Sequence, residues 1–162
     1  MNNSKIFIVS FLGISLFLSN SISAQQVKSL NWLTFEQLED SLKVKPKKVF
    51  ISFYADWCVY CRKMEKTAFR DKAVVSILNQ KYYAVKMNAE SKDTISFGGV
   101  TYVNQNIGKS RRPTHQISLL LASRKNKPFS LPVNLILNKK FKVTRRYFNY
   151  LSPKKLVAAL NY

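Results

Sequence analysis

Apolar residues in segment 34–54 occur first at a helical spacing and then as one continuous run. The helical positions are Phe35, Leu38 and Leu42, which would lie on one buried face. Thr34 and Gln37 have the spacing of a capping box, so we expect this helix to begin after Thr34. It should end in the lysine-rich stretch 43–48, which contains a proline. The run Val49–Tyr54 then predicts a buried strand.

A second helical pattern follows the strand. Its apolar positions are Cys61, Met64 and Ala68, so we expect a helix from about Cys58. Asp71 is interpreted as a new N-cap, which predicts a break near Phe69–Arg70 and a further helix whose apolar stripe is Ala73, Val74, Ile77 and Leu78. Tyr82–Met87 is the next predicted strand. This β-α-β order predicts parallel pairing through a right-handed crossover.

Two short strand-like runs, Thr94–Phe97 and Val100–Val103, flank Gly98 and Gly99. A two-residue glycine turn between such runs predicts a β-hairpin. Residues 104–112 are polar and read as a loop. Segment 90–112 is therefore expected to form an insertion between the β-α-β unit and the C-terminal part of the chain.

The C-terminal part predicts two more helices and two more strands. Pro113–Thr114 should open a helix with Ile117, Leu120 and Leu121 facing inward. Strand Val133–Leu137 should pair antiparallel with 142–148 across a turn at 138–140. Ser152–Pro153 should open the last helix, with Leu156, Val157 and Leu160 buried. The expected fold class is therefore α/β, with helices on both faces of a central mixed sheet.

The first 24 residues resemble a secretory signal. Lys5 precedes the apolar segment 6–18, and small residues lead up to Ala24. Removal of 24 of the 162 residues would leave 138, segment 25–162, as one domain without a membrane span. An uncleaved N-terminal anchor is the alternative. We expect a periplasmic or secreted protein.

Cys58 and Cys61 are the only cysteines, and they lie two residues apart directly after the Val49–Tyr54 strand. A strand that runs into C-x-x-C at a helix start brings two sulfurs within bonding distance. The helix N-terminus, with Arg62 and Lys63 nearby, would favour the thiolate of Cys58, the expected nucleophile. Cys61, one turn inside and expected to be less accessible, would resolve mixed disulfides.

Two other interpretations of the cysteine pair are weaker. A structural disulfide this short removes little entropy from the unfolded chain, so it stabilises poorly. A structural zinc site needs four ligands, and the remaining strong candidate, His115, is distant in sequence. We therefore expect no metal. His115 itself is interpreted as a surface cap residue, with a place in a substrate groove as the alternative.

The chain is strongly basic, with 27 Lys and Arg against 8 Asp and Glu and a formal net charge of +19. Such a surface attracts acidic partners and polyanions. Nucleic acid is an unlikely partner, because the signal points to secretion and the basic residues are spread along the chain. A basic, solvated surface is the simpler explanation.

The cysteine segment resembles the thioredoxin superfamily, and within it the C-terminal thioredoxin-like domain of DsbD, a bacterial periplasmic reductase. The matching residues are Tyr54, Ala55, Asp56, Trp57, Cys58, Val59, Cys61, Arg62 and Glu65. The resemblance spans about residues 49–88 and returns at 131–137, where Pro132 is similar to the cis-proline of thioredoxins.

The resemblance implies a three-layer thioredoxin-like fold and several site roles. Pro132 would face Cys58, and a cis Leu131–Pro132 bond would let the Leu131 main chain pair with an extended partner. Trp57 and Tyr60 would border the partner site, and Tyr60, between the cysteines, would tune the reduction potential. Ser52 replaces the buried Asp usual in thioredoxins. Proton handling for Cys61 would therefore fall to Glu65, Asp56 or water.

These observations predict a thiol-disulfide oxidoreductase that reduces protein disulfides with electrons from an upstream donor. The redox-active disulfide would need no separate cofactor. A disulfide oxidase or isomerase is one alternative. A non-catalytic thioredoxin-fold protein that binds acidic partners through its basic surface is another.

Overall fold

The structure, a computed structural model, describes residues 29–161. The strands in this part of the chain are β1 (Trp32–Leu33), β2 (Lys48–Tyr54), β3 (Tyr82–Asn88), β4 (Ile95–Phe97), β5 (Val100–Tyr102), β6 (Val133–Leu137) and β7 (Val143–Tyr147). The helices are α1 (Phe35–Val44), α2 (Val59–Lys66), α3 (Lys72–Lys81), α4 (Gln116–Ala122) and α5 (Pro153–Leu160). The predicted signal, residues 1–24, lies outside the described residues, so it stays a prediction.

Five strands form one mixed sheet in the order β1-β3-β2-β6-β7. Strands β2 and β3 are parallel, as the β-α-β order predicts, while β6 is antiparallel to both β2 and β7. The edge strand β1, which runs parallel to β3, was not predicted. Its two residues are too few to produce a periodic pattern in the sequence.

The central strand β2 separates two hydrophobic cores because its side chains alternate between the sheet faces. Phe50 packs on one face among residues of α2, α3 and α5. Ile51 and Phe53 belong to the core on the other face, with residues of α1 and α4. Helices therefore cover both faces of the mixed sheet, and the predicted three-layer architecture is confirmed.

The helix starts follow the capping signals in the sequence. Thr34 and Gln37 form the complete capping box of α1. Asp71 caps α3 by accepting hydrogen bonds from the main-chain N–H groups of Ala73 and Val74. The predicted break between α2 and α3 is a short 3-10 turn at Ala68–Arg70. Helix α2, which begins directly after Cys58, is thus separated from α3 by this turn and the Asp71 cap.

Helix α4 differs from its prediction. It begins at Gln116, with His115 as the N-cap. Its buried residues are Ile117, Ser118 and Ala122, so Leu120 points away from the core and is 66% exposed. The prediction that Leu120 faces inward was therefore wrong. In α5, Leu156 and Leu160 are buried as predicted, whereas Val157 is only partly buried and Ala159 takes the inner position.

The predicted hairpin is present as β4 and β5, with Gly98 and Gly99 at φ 63° and 72°. Two acidic side chains of α1 hold it: Glu36 accepts the Ser96 N–H at 3.2 Å, and Glu39 accepts the Gly98 N–H at 2.9 Å. Segment 90–112 is thus tied to the main body of the fold. No helix within residues 29–161 combines the length and apolar character that crossing a bilayer requires.

Candidate active site

The two cysteines form a disulfide at the start of α2, with an S–S length of 2.06 Å and a Cα–Cα distance of 5.2 Å. Strand β2 delivers the chain to this point from the centre of the sheet. A turn follows, in which the Cys58 N–H donates to the Ala55 carbonyl at 3.0 Å. The disulfide therefore lies between the carboxyl end of the buried strand β2 and the N-terminus of helix α2.

Cys58 is the N-cap of α2. Its sulfur accepts a hydrogen bond from the main-chain N–H of Cys61 at 3.1 Å. The Arg62 side chain folds back and donates to the Asp56 carbonyl, which keeps a guanidinium beside this first turn. A helix N–H and a nearby cation both stabilise a negatively charged sulfur at Cys58.

The cysteines are almost equally buried in this disulfide form, with exposed fractions of 3% for Cys58 and 8% for Cys61. The expected lower accessibility of Cys61 is therefore not observed. Apolar side chains nevertheless border the pair on the outside: Trp57 is 42% exposed and Tyr60 is 58% exposed. An incoming protein surface would contact this rim first.

A cavity of about 330 Å³ lies beside Cys61. Its lining includes Ser52, Asp56, Cys61, Glu65, Lys86 and Pro132. Four of the site residues predicted from the sequence therefore line the same cavity: Asp56, Cys61, Glu65 and Pro132. Trp57, Tyr60 and Leu131 do not line this cavity.

Glu65 reaches across the cavity to Lys86. Lys86 Nζ donates to Glu65 Oε2 at 2.5 Å. Lys86 lies on β3 directly opposite Ser52 on β2, so the cation stands next to the position where thioredoxins usually carry Asp. Sequence reasoning missed Lys86, although a lysine within the apolar strand β3 is a signal of a special environment.

The Leu131–Pro132 peptide bond is cis and directly precedes strand β6. Pro132 lines the cavity together with Cys61, so the two segments that carry the family resemblance meet here. Leu131 packs its side chain partly into the core. Its main-chain N–H and C=O form no hydrogen bond with any other residue between 29 and 161.

Trp57 and Tyr60 have different neighbours on the outer rim. The Trp57 Nε1–H donates to Glu90 Oε1 at 2.8 Å, and the Arg112 guanidinium lies 3.8 Å from the centre of a Trp57 ring. The Tyr60 ring lies 6.4 Å from that of Tyr150. Neither Glu90 nor Arg112 was predicted to contact Trp57, because both are distant from it in sequence.

His115 is buried rather than on the surface, so that part of its interpretation was wrong, while its role as a cap was right. Its Nδ1 accepts the Ile117 N–H at 3.2 Å, and its Nε2 lies 3.1 Å from the Asp93 carbonyl oxygen. These contacts require the neutral ring with the proton on Nε2. Burial, the main cause, lowers the pKa of His115 below its ordinary value. The residue does not line the cavity beside Cys61.

Two features together define the class of thioredoxin-like proteins. One is a disulfide at the start of the helix that follows the central strand of a mixed sheet, and the other is a cis-proline directly before the neighbouring antiparallel strand, here β6. The family model for the thioredoxin-like domain matches residues 35–162. The chain therefore belongs to the thioredoxin-like family. Membership in this family together with the Cys58–Cys61 disulfide supports thiol-disulfide oxidoreductase activity.

Curated relatives share the name thiol:disulfide interchange protein DsbD. The Vibrio cholerae protein is 33% identical over 90 residues, which are 47% of this chain and 15% of that protein. The Salmonella typhi protein is 42% identical over 62 residues, which are 36% of this chain and 11% of that protein. The chain therefore spans only a small part of the length of these relatives, and the resemblance to DsbD is confirmed for that part.

Solved structures match a larger share of the chain. The structure titled DsbH oxidoreductase superposes with a TM-score of 0.55 at 17% identity and covers 83% of each chain. A thioredoxin from Thermus thermophilus gives a TM-score of 0.57 at 16% identity, covering 83% of this chain and 86% of that one. At these identities the likeness establishes the fold.

Proposed function

We propose that this protein is a periplasmic or secreted thiol-disulfide oxidoreductase that reduces disulfides in other proteins. One observation carries the proposal: the Cys58 sulfur caps helix α2 and accepts the Cys61 N–H at 3.1 Å. The same hydrogen bond that satisfies the helix end would stabilise a thiolate after reduction. The location rests on the predicted signal, and the direction rests on the similarity to DsbD.

The proposed reaction has two exchange steps. The Cys58 thiolate attacks one sulfur of a partner disulfide, forming a mixed disulfide and releasing one partner thiolate, which takes up a proton. The Cys61 thiolate then attacks the Cys58 sulfur, which releases the second partner thiolate. The partner gains two electrons, and the Cys58–Cys61 disulfide re-forms. An upstream dithiol donor must reduce it again, and no separate cofactor takes part.

Glu65 and Asp56 are the proposed proton-handling groups for Cys61. All three residues line the same cavity, and Glu65 is fixed there by Lys86. Cys61 must lose its proton before it can attack the mixed disulfide, so a carboxylate in this space has a defined task. Ser52 has no acidic group to offer, which leaves the task to these side chains and to water.

The proposed partner site combines the apolar side chains beside the disulfide with the main chain of Leu131. Trp57 and Tyr60 would contact apolar partner residues, since about half of each side chain is exposed beside the disulfide. The main chain of Leu131, next to Pro132, has no hydrogen-bond partner among residues 29–161 and would bond to an extended partner segment as a short added strand. The basic surface would favour acidic proteins among these partners.

Reduction of insulin tests the proposal. The purified protein, with dithiothreitol as electron donor, should accelerate insulin precipitation, and a Cys58→Ser variant should fall to the rate of dithiothreitol alone. Equal rates for the two proteins would overturn the proposal. Salt-sensitive binding of an acidic protein that survives loss of both cysteines would instead support the non-catalytic alternative.

A further inference from the structure

We propose that Arg112 is a carboxylate-binding residue beside the redox pair, so that the protein prefers disulfides with an acidic side chain next to the attacked cysteine. The inference rests on the proposed exchange reaction at Cys58 and names a substrate class for that site. It assigns a role to segment 90–112, whose two end residues both contact Trp57.

Glu90 and Arg112 together fix the orientation of Trp57. Glu90 accepts the indole N–H at 2.8 Å, while the Arg112 guanidinium lies 3.8 Å from the ring centre. Trp57 directly precedes Cys58 in the chain, so the contact with its ring places Arg112 against the residue adjacent to the first cysteine. A cation that would otherwise swing freely on a long side chain is thereby pre-organised.

The hydrogen-bonding groups of this guanidinium are unused within residues 29–161. The hydrogen bonds of Arg112 involve only its main-chain N–H and carbonyl. The ion pairs in the same part of the chain join Lys43 to Glu39 and Asp40, and Lys86 to Glu65. Arg112 is exposed, and its contact with the Trp57 ring, 3.8 Å from the guanidinium carbon to the ring centre, uses none of its N–H groups in a hydrogen bond to another described residue.

The geometry of these donors selects a carboxylate. A planar guanidinium presents a fork of N–H groups that matches the two oxygens of an Asp or Glu side chain. Because the partner in the proposed reaction is a protein, its carboxylates are the anions that can reach this position. The general basic charge of the surface would attract any acidic protein, whereas Arg112 would act only on an acid close to the exchanging disulfide.

Arg111 provides a matched control. It is adjacent in sequence, equally charged and exposed, and it has no ring contact with Trp57. Replacing either arginine by Gln removes the same charge from the same segment. A difference between the two variants therefore reports the position of Arg112 rather than the net charge of the protein.

The test uses two peptides with one internal disulfide that differ only in a Glu or Gln next to one cysteine. Single-turnover reduction of each peptide by the pre-reduced protein is followed by mass spectrometry at low salt. Wild type and Arg111→Gln should reduce the Glu peptide roughly two- to fivefold faster than the Gln peptide. Arg112→Gln should show a clearly smaller ratio, set only by the general basic charge that it shares with Arg111→Gln. The rate ratio is measured within each protein sample, so a loss of folded protein cancels.

The same ratio in Arg112→Gln and Arg111→Gln would overturn the inference. Failure of wild type to reduce any peptide would be a failure of the proposed function instead. In that event the affinities of the Glu and Gln peptides for the oxidised proteins test whether Arg112 binds a carboxylate. A preference for the Glu peptide that is smaller in Arg112→Gln than in Arg111→Gln supports the carboxylate site, and an equal preference in the two variants contradicts it.

Discussion

The Glu65 carboxylate accepts a hydrogen bond from Lys86 Nζ at 2.5 Å, across the cavity that Cys61 also lines. Glu65 comes from helix α2, whereas Lys86 comes from strand β3 opposite Ser52. Helix α2 thus supplies the carboxylic acid of Glu65 to the cavity, whereas strand β2 supplies only the hydroxyl group of Ser52. This arrangement supports the proposal that Glu65 handles the proton of Cys61.

Replacing Glu65 by Gln should slow the second exchange step about tenfold. General acid–base groups contribute roughly 10²- to 10⁴-fold, and a partly exposed carboxylate is expected at or below the low end because water can replace part of its action. Stopped-flow decay of the mixed disulfide measures this step. Glu39→Gln is the matched control, since it also removes a carboxylate paired with a lysine but lies on α1. Equal decay rates in the two variants would refute the role of Glu65.

The two cysteines should behave differently when each is replaced by Ser. Cys61→Ser should accumulate a nearly stoichiometric mixed disulfide with a disulfide peptide, because Cys58 can attack and nothing resolves the product. Cys58→Ser should trap far less peptide. Non-reducing electrophoresis and intact mass measure the adduct. Preferential trapping by Cys58→Ser would reverse the assigned roles.

Acidification should weaken the fold through His115, the only histidine of the chain. Burial lowers the pKa of His115, so the folded protein binds this proton less readily than the unfolded chain. Its contribution to stability is therefore complete above the unfolded pKa of about 6.5 and is lost as the pH falls through the lower folded pKa. Each unit by which the pKa is lowered corresponds to about 1.4 kcal/mol.

Urea unfolding of wild type and His115→Asn at pH 7.5 and pH 5 measures this effect. Asn retains an N-cap acceptor but does not titrate, and the carboxylates common to both proteins cancel in the comparison. The free energy of unfolding should fall less on acidification in the variant. The same pH dependence in both proteins would contradict the assignment.

Gly98→Ala should destabilise the protein by about 1–2 kcal/mol, because an L-residue resists the left-handed backbone at φ 63°. The space around this position is open, so no steric contact of the new methyl group adds to the cost. Thr101→Ala, at an exposed position of β5, should change the free energy of unfolding by less than about 0.5 kcal/mol. Urea unfolding gives both values, and equal changes would count against the backbone explanation.

The sequence predicted the local features of the fold well because their signals are local. The Thr34 capping box, the Asp71 cap and the Gly98–Gly99 turn each depend on residues within one helical turn or one hairpin. Strand β2 stood out because its apolar run is continuous. Helix α4 was less accurate, since three leucines in a row at 119–121 do not show which of them faces the core.

The site was predicted only as far as the two segments of the family resemblance reach. Asp56 to Glu65 and the Leu131–Pro132 pair were identified because each lies within a continuous stretch of the family pattern. Lys86 meets Glu65 only through the register of β2 and β3, and Arg112 meets Trp57 only through the path of the insertion. These contacts arise from tertiary structure, and no periodicity along the chain encodes them.

The reduction potential of the Cys58–Cys61 pair tests the central claim most directly. The protein is equilibrated in dithiothreitol and glutathione redox buffers, quenched with acid, alkylated, and weighed by mass spectrometry. We expect one reversible two-electron transition with a midpoint nearer to thioredoxin's, about −270 mV, than to DsbA's, about −120 mV. A pair that stays oxidised and unmodified in every buffer, or a midpoint near that of DsbA, would contradict it.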